Sequence, residues 1–211
     1  VCEQPGTCPG RFAVSAGTLN AAKIETVSAG QPKGLLGEIL TNALGGGSSG
    51  PWPRLQGTIE ANALEVGKLT LQNVVASVAI EGKQLTIASF EGGALGGKLQ
   101  GSGSMDASSG TPQWALDVRV TGASLQDAGK IFGETWGPGT AAAETKLTMS
   151  GYRAADLADS ASGTFHFTWQ NGGLPGVSRV SPTGGEAVLG HFDQWSATGT
   201  IGDRTLTLTD G

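Results

Sequence analysis

Between Leu69 and Leu99 the chain alternates apolar and polar residues with few breaks, and this alternation limits what it can fold into. Leu69 and Leu71 alternate with threonine and glutamine. After a slip at Asn73-Val74, the residues Val74, Ala76, Val78 and Ile80 alternate with Val75, Ser77, Ala79 and Glu81. A Gly82-Lys83 turn follows, and Leu85 and Ile87 resume the pattern. A period of two with a polar opposite face describes half-buried strands, and short glycine turns make such strands hairpin partners. One face of this ladder is therefore apolar and the other wet.

The same pattern recurs downstream. Trp114, Leu116, Val118 and Val120 alternate with Ala115, Asp117 and Arg119. Leu147 and Met149 are in phase, as are Phe165, Phe167 and Trp169, then Trp195, Ala197, Gly199 and Ile201, and last Leu206 with Leu208. Upstream, Gly10 to Ser15 reads as a short strand that turns away at Gly17, and Arg54 to Ala61 reads as another, with a short element at Leu64 and Val66. A bulge is expected at Glu91-Gly92-Gly93, and Ala94 to Met105 reads as one extended, strongly curved segment. The glycine- and proline-broken stretch from Asn171 to Gly190 shows no period and reads as a long loop or a poorly ordered insertion.

Helices are brief. Gly34 to Leu44 carries an apolar stripe through Leu35, Leu36, Ile39, Leu40, Ala43 and Leu44 and ends at Gly45. It reads as a cover for one end or face of the sheet, or as a helix at the mouth of an apolar trough. Ser124 caps a second helix with Asp127 in its first turn, Leu125, Ala128, Ile131 and Phe132 as its stripe, and Gly133 as its stop. Ala154 to Ala161 reads as a third. Strands separated by turns and short helices make a mainly β fold: a curved antiparallel sheet or groove-like meander with two or three short α-helices. The chain reads as one unit over residues 1–211, with a strand, a cysteine loop and an amphipathic helix in 1–50 and the meander in 51–211. Asp210-Gly211 looks like half of a hairpin turn, so the chain is expected to be part of a longer protein.

Of the 211 residues 36 are glycine, against a usual share of about 7%, which argues for many turns, bends and bulges. A net charge of -5 has the wrong sign for binding a phosphate backbone. No run reaches the roughly 20 apolar residues that span a bilayer as a helix. The Pro5-Gly6 turn between Cys2 and Cys8 can bring the two within disulfide range in an oxidising compartment, with free thiols as the alternative.

Chemistry-bearing patterns are thin. His166 lies between Phe165 and Phe167 and so points away from the apolar face, as an exposed strand histidine. No G-x-S-x-G elbow accompanies His191, and the doublets Gly92-Gly93 and Gly96-Gly97 lack the Gly-Lys-Ser/Thr of a phosphate loop. Neither catalysis nor a cofactor or metal is expected. Leu69, Leu71, Val78, Ile80, Leu85 and Ile87 instead form one apolar strand face. Trp114, Leu116, Val118, Phe165, Phe167 and Trp195 extend it. The aromatics Trp114, Phe165, Phe167, Trp169 and Trp195 either fill a plain core or help line an apolar trough; so few helices leave such a face short of cover, and an uncovered apolar face of this size normally marks a binding site.

Several segments in order carry a family resemblance: Trp52-Pro53-Arg54-Leu55-Gln56-Gly57, Leu64 to Val74, Gly92 to Gly103, Val118 to Leu125, Leu147 to Gly151, Leu157 to Phe167, and Phe192 to Trp195. Together they resemble the C-terminal region of AsmA-family envelope proteins over roughly residues 10 to 211. The resemblance implies a periplasmic segment of a protein anchored in the inner membrane. It also implies a curved β-groove that shields phospholipid acyl chains between two membranes, without catalytic residues, cofactor or nucleic acid. The alternatives are a structural or assembly module of the envelope, its apolar face filled by its own helices or neighbouring repeats, and, more remotely, a carbohydrate-active β protein with tryptophans beside paired carboxylates.

Overall fold

A computed structural model describes residues 9–20, 54–151, 154–179 and 188–210. The expected helix at Gly34–Leu44 and the Cys2–Cys8 loop lie outside the described residues. Among the described residues ten strands form one sheet in chain order: β1 (Gly10–Asn20), β2 (Leu55–Val66), β3 (Leu69–Glu81), β4 (Gln84–Ala94), β5 (Gly97–Asp106), β6 (Gln113–Ser124), β7 (Thr140–Ser150), β8 (Ser162–Arg179), β9 (Val188–Gly202) and β10 (Thr205–Asp210). The sheet is curved and open. Helix α1 (Leu125–Phe132) joins β6 to β7, and α2 (Ala154–Ser160) joins β7 to β8.

Mainly β with brief helices is what the alternation predicts, and the structure has it. From β2 to β10 the sheet is the antiparallel meander that the alternation predicts. β1 pairs with β2 in parallel, so the sheet is mixed. Sequence alternation is blind to this, because parallel and antiparallel neighbours both alternate faces.

Tight turns set most of the register. β2–β3 and β3–β4 turn at Gly67-Lys68 and Gly82-Lys83, with the glycines at φ 60° and 57°. The segment expected to run extended from Ala94 to Met105 is instead a hairpin, turning at Leu95 (φ 54°) and Gly96 (φ 75°). Positive φ at both central residues matches the strand twist, which is why this tight turn forms even with leucine at its first position. In the stretch read as a long loop or poorly ordered insertion from Asn171 to Gly190, the described residues are strand, with β8 reaching Arg179 and β9 beginning at Val188.

The irregularities preserve the faces. The ladder skips the level of Gly17, Asn62 and Asn73, and its register is unchanged on either side. Asn73 sits at φ 50°. Beyond this aligned break Leu19, Leu64 and Leu71 pack with Ala61 and Val74, so the apolar residues return to one side after the slip. At the bulge expected around Glu91-Gly92-Gly93 the β3–β4 register does shift, between the Gln72–Gly93 and Val75–Glu91 pairs, with the extra residue on β3; a further shift between Ile87 and Phe90 returns Phe90 to the apolar side. The strands extend further than their periodic cores: β1 runs to Asn20, and β2 is continuous where two elements were expected.

α1 forms as its sequence dictates. The Ser124 hydroxyl accepts from the Asp127 amide at 3.2 Å, and Gly133 ends the helix at φ 78°. Leu125 and Ala128 are buried. The Ser124 amide donates to the Leu95 carbonyl at 2.8 Å, tying the helix start to the β4–β5 turn. α2 is held to β7 by Ser160, whose Oγ accepts from the Ser150 amide and donates to the Ser150 carbonyl, each at 2.8 Å.

Candidate functional site: an apolar sheet face crossed by continuous rows

Paired residues on neighbouring strands point to the same side, so register converts alternation into rows running across the sheet. One row passes from Phe12 through Gly57, Val78, Ile87, Gly103, Leu116, Leu147, Gly163 and Ile201 to Leu206. It visits every strand and meets only apolar side chains or glycine. A parallel row runs Val14, Ile59, Ala76, Phe90, Gly101, Val118, Thr145, Phe165, Gly199, Leu208, with one threonine as its polar member. At strand spacings of about 4.8 Å, such a row is on the order of 45 Å long.

The apolar residues singled out by alternation share this face. Leu71, Val78 and Ile80 are buried, while Leu69, Leu85, Ile87, Trp114, Leu116, Val118, Phe165 and Phe167 are half-buried. Leu69 and Val118 pack on the cluster around Leu71 and Leu99, and Leu85 packs on Val78 and Ile80. Trp195 is exposed and meets Phe167 edge-on, with ring centroids 6.0 Å apart. Next to it Trp169 and Phe192 form a second edge-on pair at 4.8 Å, and the Trp169 indole donates to the Pro138 carbonyl at 3.0 Å.

Alternation alone misses the glycines within the rows. Turns and bends account for only some of them. A Cβ at Gly57 would lie 2.8 Å from Phe12 Cγ, one at Gly101 2.7 Å from Phe90 Cζ, one at Gly103 2.6 Å from Leu116 Cδ2, and one at Gly199 2.7 Å from Phe165 Cε1. In each case a large side chain lies down over a neighbouring strand's glycine. The face is thereby levelled, with rings spread over bare backbone. The signal for this was visible as Gly57, Gly101, Gly103 and Gly199 standing in phase with the apolar positions.

The opposite face is polar and carries exposed charge pairs: Arg119 with Glu144 at 2.7 Å and Lys146 with Asp117 at 3.3 Å, both cross-strand. Exposed pairs of this kind contribute about 0–1 kcal/mol each, so they serve solubility and register more than stability. His166 is exposed here, opposite Glu144 and Thr198, with Nε2 3.3 Å from the Thr168 hydroxyl. Two depressions of about 560 and 720 Å³ open on this side, where Ala88, Ser102, Ser104 and Ala115 are too small to fill the space between strands. Among the described residues no buried polar or charged side chain is found, no three metal-capable side chains gather, and no helix is long and apolar enough to cross a membrane.

Comparison with known families finds that the model described as the AsmA family matches residues 41–179. That span includes the segments from Trp52 to Phe167, while Phe192 to Trp195 lies beyond it. No curated protein and no solved structure matches the chain.

Proposed function

This chain belongs to the AsmA family, and from that premise we propose that it is a non-enzymatic, periplasmic segment that holds phospholipid acyl chains along the apolar face of its sheet. The observation that carries the reading is the unbroken row from Phe12 to Leu206, which offers hydrocarbon a path across all ten strands. Each methylene taken from water onto such a surface gains about 0.8 kcal/mol, so a chain burying ten of them gains at most on the order of 8 kcal/mol. The gain is spread evenly, because no polar side chain interrupts the row to fix one position. Sliding along it therefore costs little, as passage between membranes requires.

The parent protein is anchored in the inner membrane in this reading, and the segment contributes to lipid supply to the outer membrane. Its ligand contacts are hydrocarbon only. Cys2 and Cys8 close a disulfide in the oxidising periplasm. Gently purified protein analysed by mass spectrometry for extracted lipid is expected to carry phospholipid, and Leu116→Glu to lose it while the far-ultraviolet circular dichroism stays unchanged. Lipid-free protein, or equal lipid in the Leu116→Glu variant, overturns the proposal.

A further inference from the structure

Two tryptophans stand at opposite rims of the apolar face. Trp114, near the start of β6, is level with Met149 at the end of β7, and Trp169 on β8 is level with Ala141 at the start of β7. Both belong to interior strands with a paired neighbour on either side. Each indole N–H is used by the loop that leaves the sheet beside it. Trp114 donates to the Gly151 carbonyl at 3.2 Å and Trp169 to the Pro138 carbonyl at 3.0 Å. The polar edge of each ring is thus turned to the backbone of its own rim, while the half-buried ring lies on the apolar side. Tryptophan takes the same placement at a membrane–water boundary, its body in hydrocarbon and its N–H at the polar edge.

Strand β7 measures the distance between the two rims. Ala141 and Met149 are eight residues apart on a strand whose pairing with β8 is unbroken from Thr140 to Thr148, which makes about 27 Å of strand. Between these levels the face carries Leu116, Val118, Ala143, Leu147, Phe165 and Phe167. Thr145, at the midpoint, donates its hydroxyl to the Thr164 carbonyl at 3.0 Å and keeps no donor for a ligand. The strip therefore has the width of a bilayer's hydrocarbon core, about 30 Å, and of the apolar band of about 25 Å that aromatic girdles edge on membrane-spanning sheets. A single leaflet's chain covers about half of that width. Resting on the acyl-chain reading of this face, we propose that phospholipids lie across β6–β8 with their chains parallel to the strands, in two opposed ranks. Their polar ends stand at the Trp114 rim and the Trp169 rim, and their chain ends meet at the level of Thr145. Movement along the rows then carries a lipid sideways from strand to strand, and its polar end stays at the rim throughout.

Photolabelling of the full chain with two lipid probes tests this. Vesicles of phosphatidylethanolamine and phosphatidylglycerol carry a trace of phosphatidylcholine whose chain bears a diazirine, either at the methyl end or beside the ester. Adducts are mapped by peptide mass spectrometry. The methyl-end probe is expected to label the level of Thr145 and Phe165 several-fold more than the rims. The ester-side probe is expected to show the reverse, with adducts around both Trp114 and Trp169. The same distribution from both probes overturns the proposal, because chains lying along the rows would bring every carbon to every level. Ester-side adducts at one rim alone overturn it too, since they would mean a single rank. No adduct on this face from either probe would instead remove the acyl-chain reading on which the two ranks rest.

Discussion

The Phe90 ring lies over Gly101 on the neighbouring strand so closely that a Cβ at Gly101 would come within 2.7 Å of Phe90 Cζ, and it would also strike the Asp117 carbonyl. The backbone carbonyl cannot move without disturbing β6. Gly101→Ala is therefore expected to destabilise by about 1–3 kcal/mol, the usual cost of overpacking. At Gly103 the nearest atom is instead the flexible end of Leu116, at 2.6 Å, with the Ala115 carbonyl at 3.2 Å. Gly103→Ala is expected to cost less, and urea unfolding of both variants measures the difference. Equal losses would mean that the rows are not levelled in the way described.

Asn73 at φ 50° marks the aligned break that returns Leu71 to the apolar side. A left-handed residue costs a branched side chain about 1–2 kcal/mol, and asparagine and glycine much less. Asn73→Gly is expected to leave the unfolding midpoint nearly unchanged and Asn73→Val to lower stability by about that amount. Chemical denaturation of the two variants is the check.

How much of this was legible in the sequence depends on the interaction concerned. The alternation at Trp114–Val120, the Ser124 cap and the Gly133 stop are local, and each element forms where those residues place it. The hairpin at Leu95-Gly96 was hidden because leucine rarely accepts positive φ, and only the pairing of Ala94 with Gly97 shows the turn. The parallel seating of β1 depends on a connection of 34 residues between Asn20 and Leu55, so no local signal encodes it. The apolar face was legible as a set of residues. Its continuity was not, because it depends on the register of every strand pair.

The α1 cap makes a pH prediction. Asp127 has its pKa lowered by a hydrogen bond from Lys130, by one involving Ser124 and by the Lys130 charge. The folded pKa thus lies below the unfolded one. The stabilisation is complete above the ordinary carboxylate pKa and is lost as pH falls through the lower, folded value. Carboxyl chemical shifts followed by NMR are expected to place Asp127 below a free aspartate, and Lys130→Met to return it towards the ordinary value.

Ser124 supports the same helix by accepting from the Asp127 amide at 3.2 Å. Ser124→Ala is expected to cost about 1 kcal/mol. Hydrogen exchange is expected to quicken in the first turn of α1 and to stay unchanged in β3, which the helix does not hold.

Leu116 and Thr148 sit on β6 and β7 but on opposite faces, Leu116 in the apolar row and Thr148 opposite Ala115 and Ser162. A photoreactive side chain at either position, activated in the presence of phospholipid vesicles, tests the central claim most directly. Acyl-chain adducts are expected from Leu116, and from Phe165 further along the face, with none from Thr148. Equal labelling from both faces, or labelling from Thr148 alone, would contradict the assignment of the apolar rows as the lipid path.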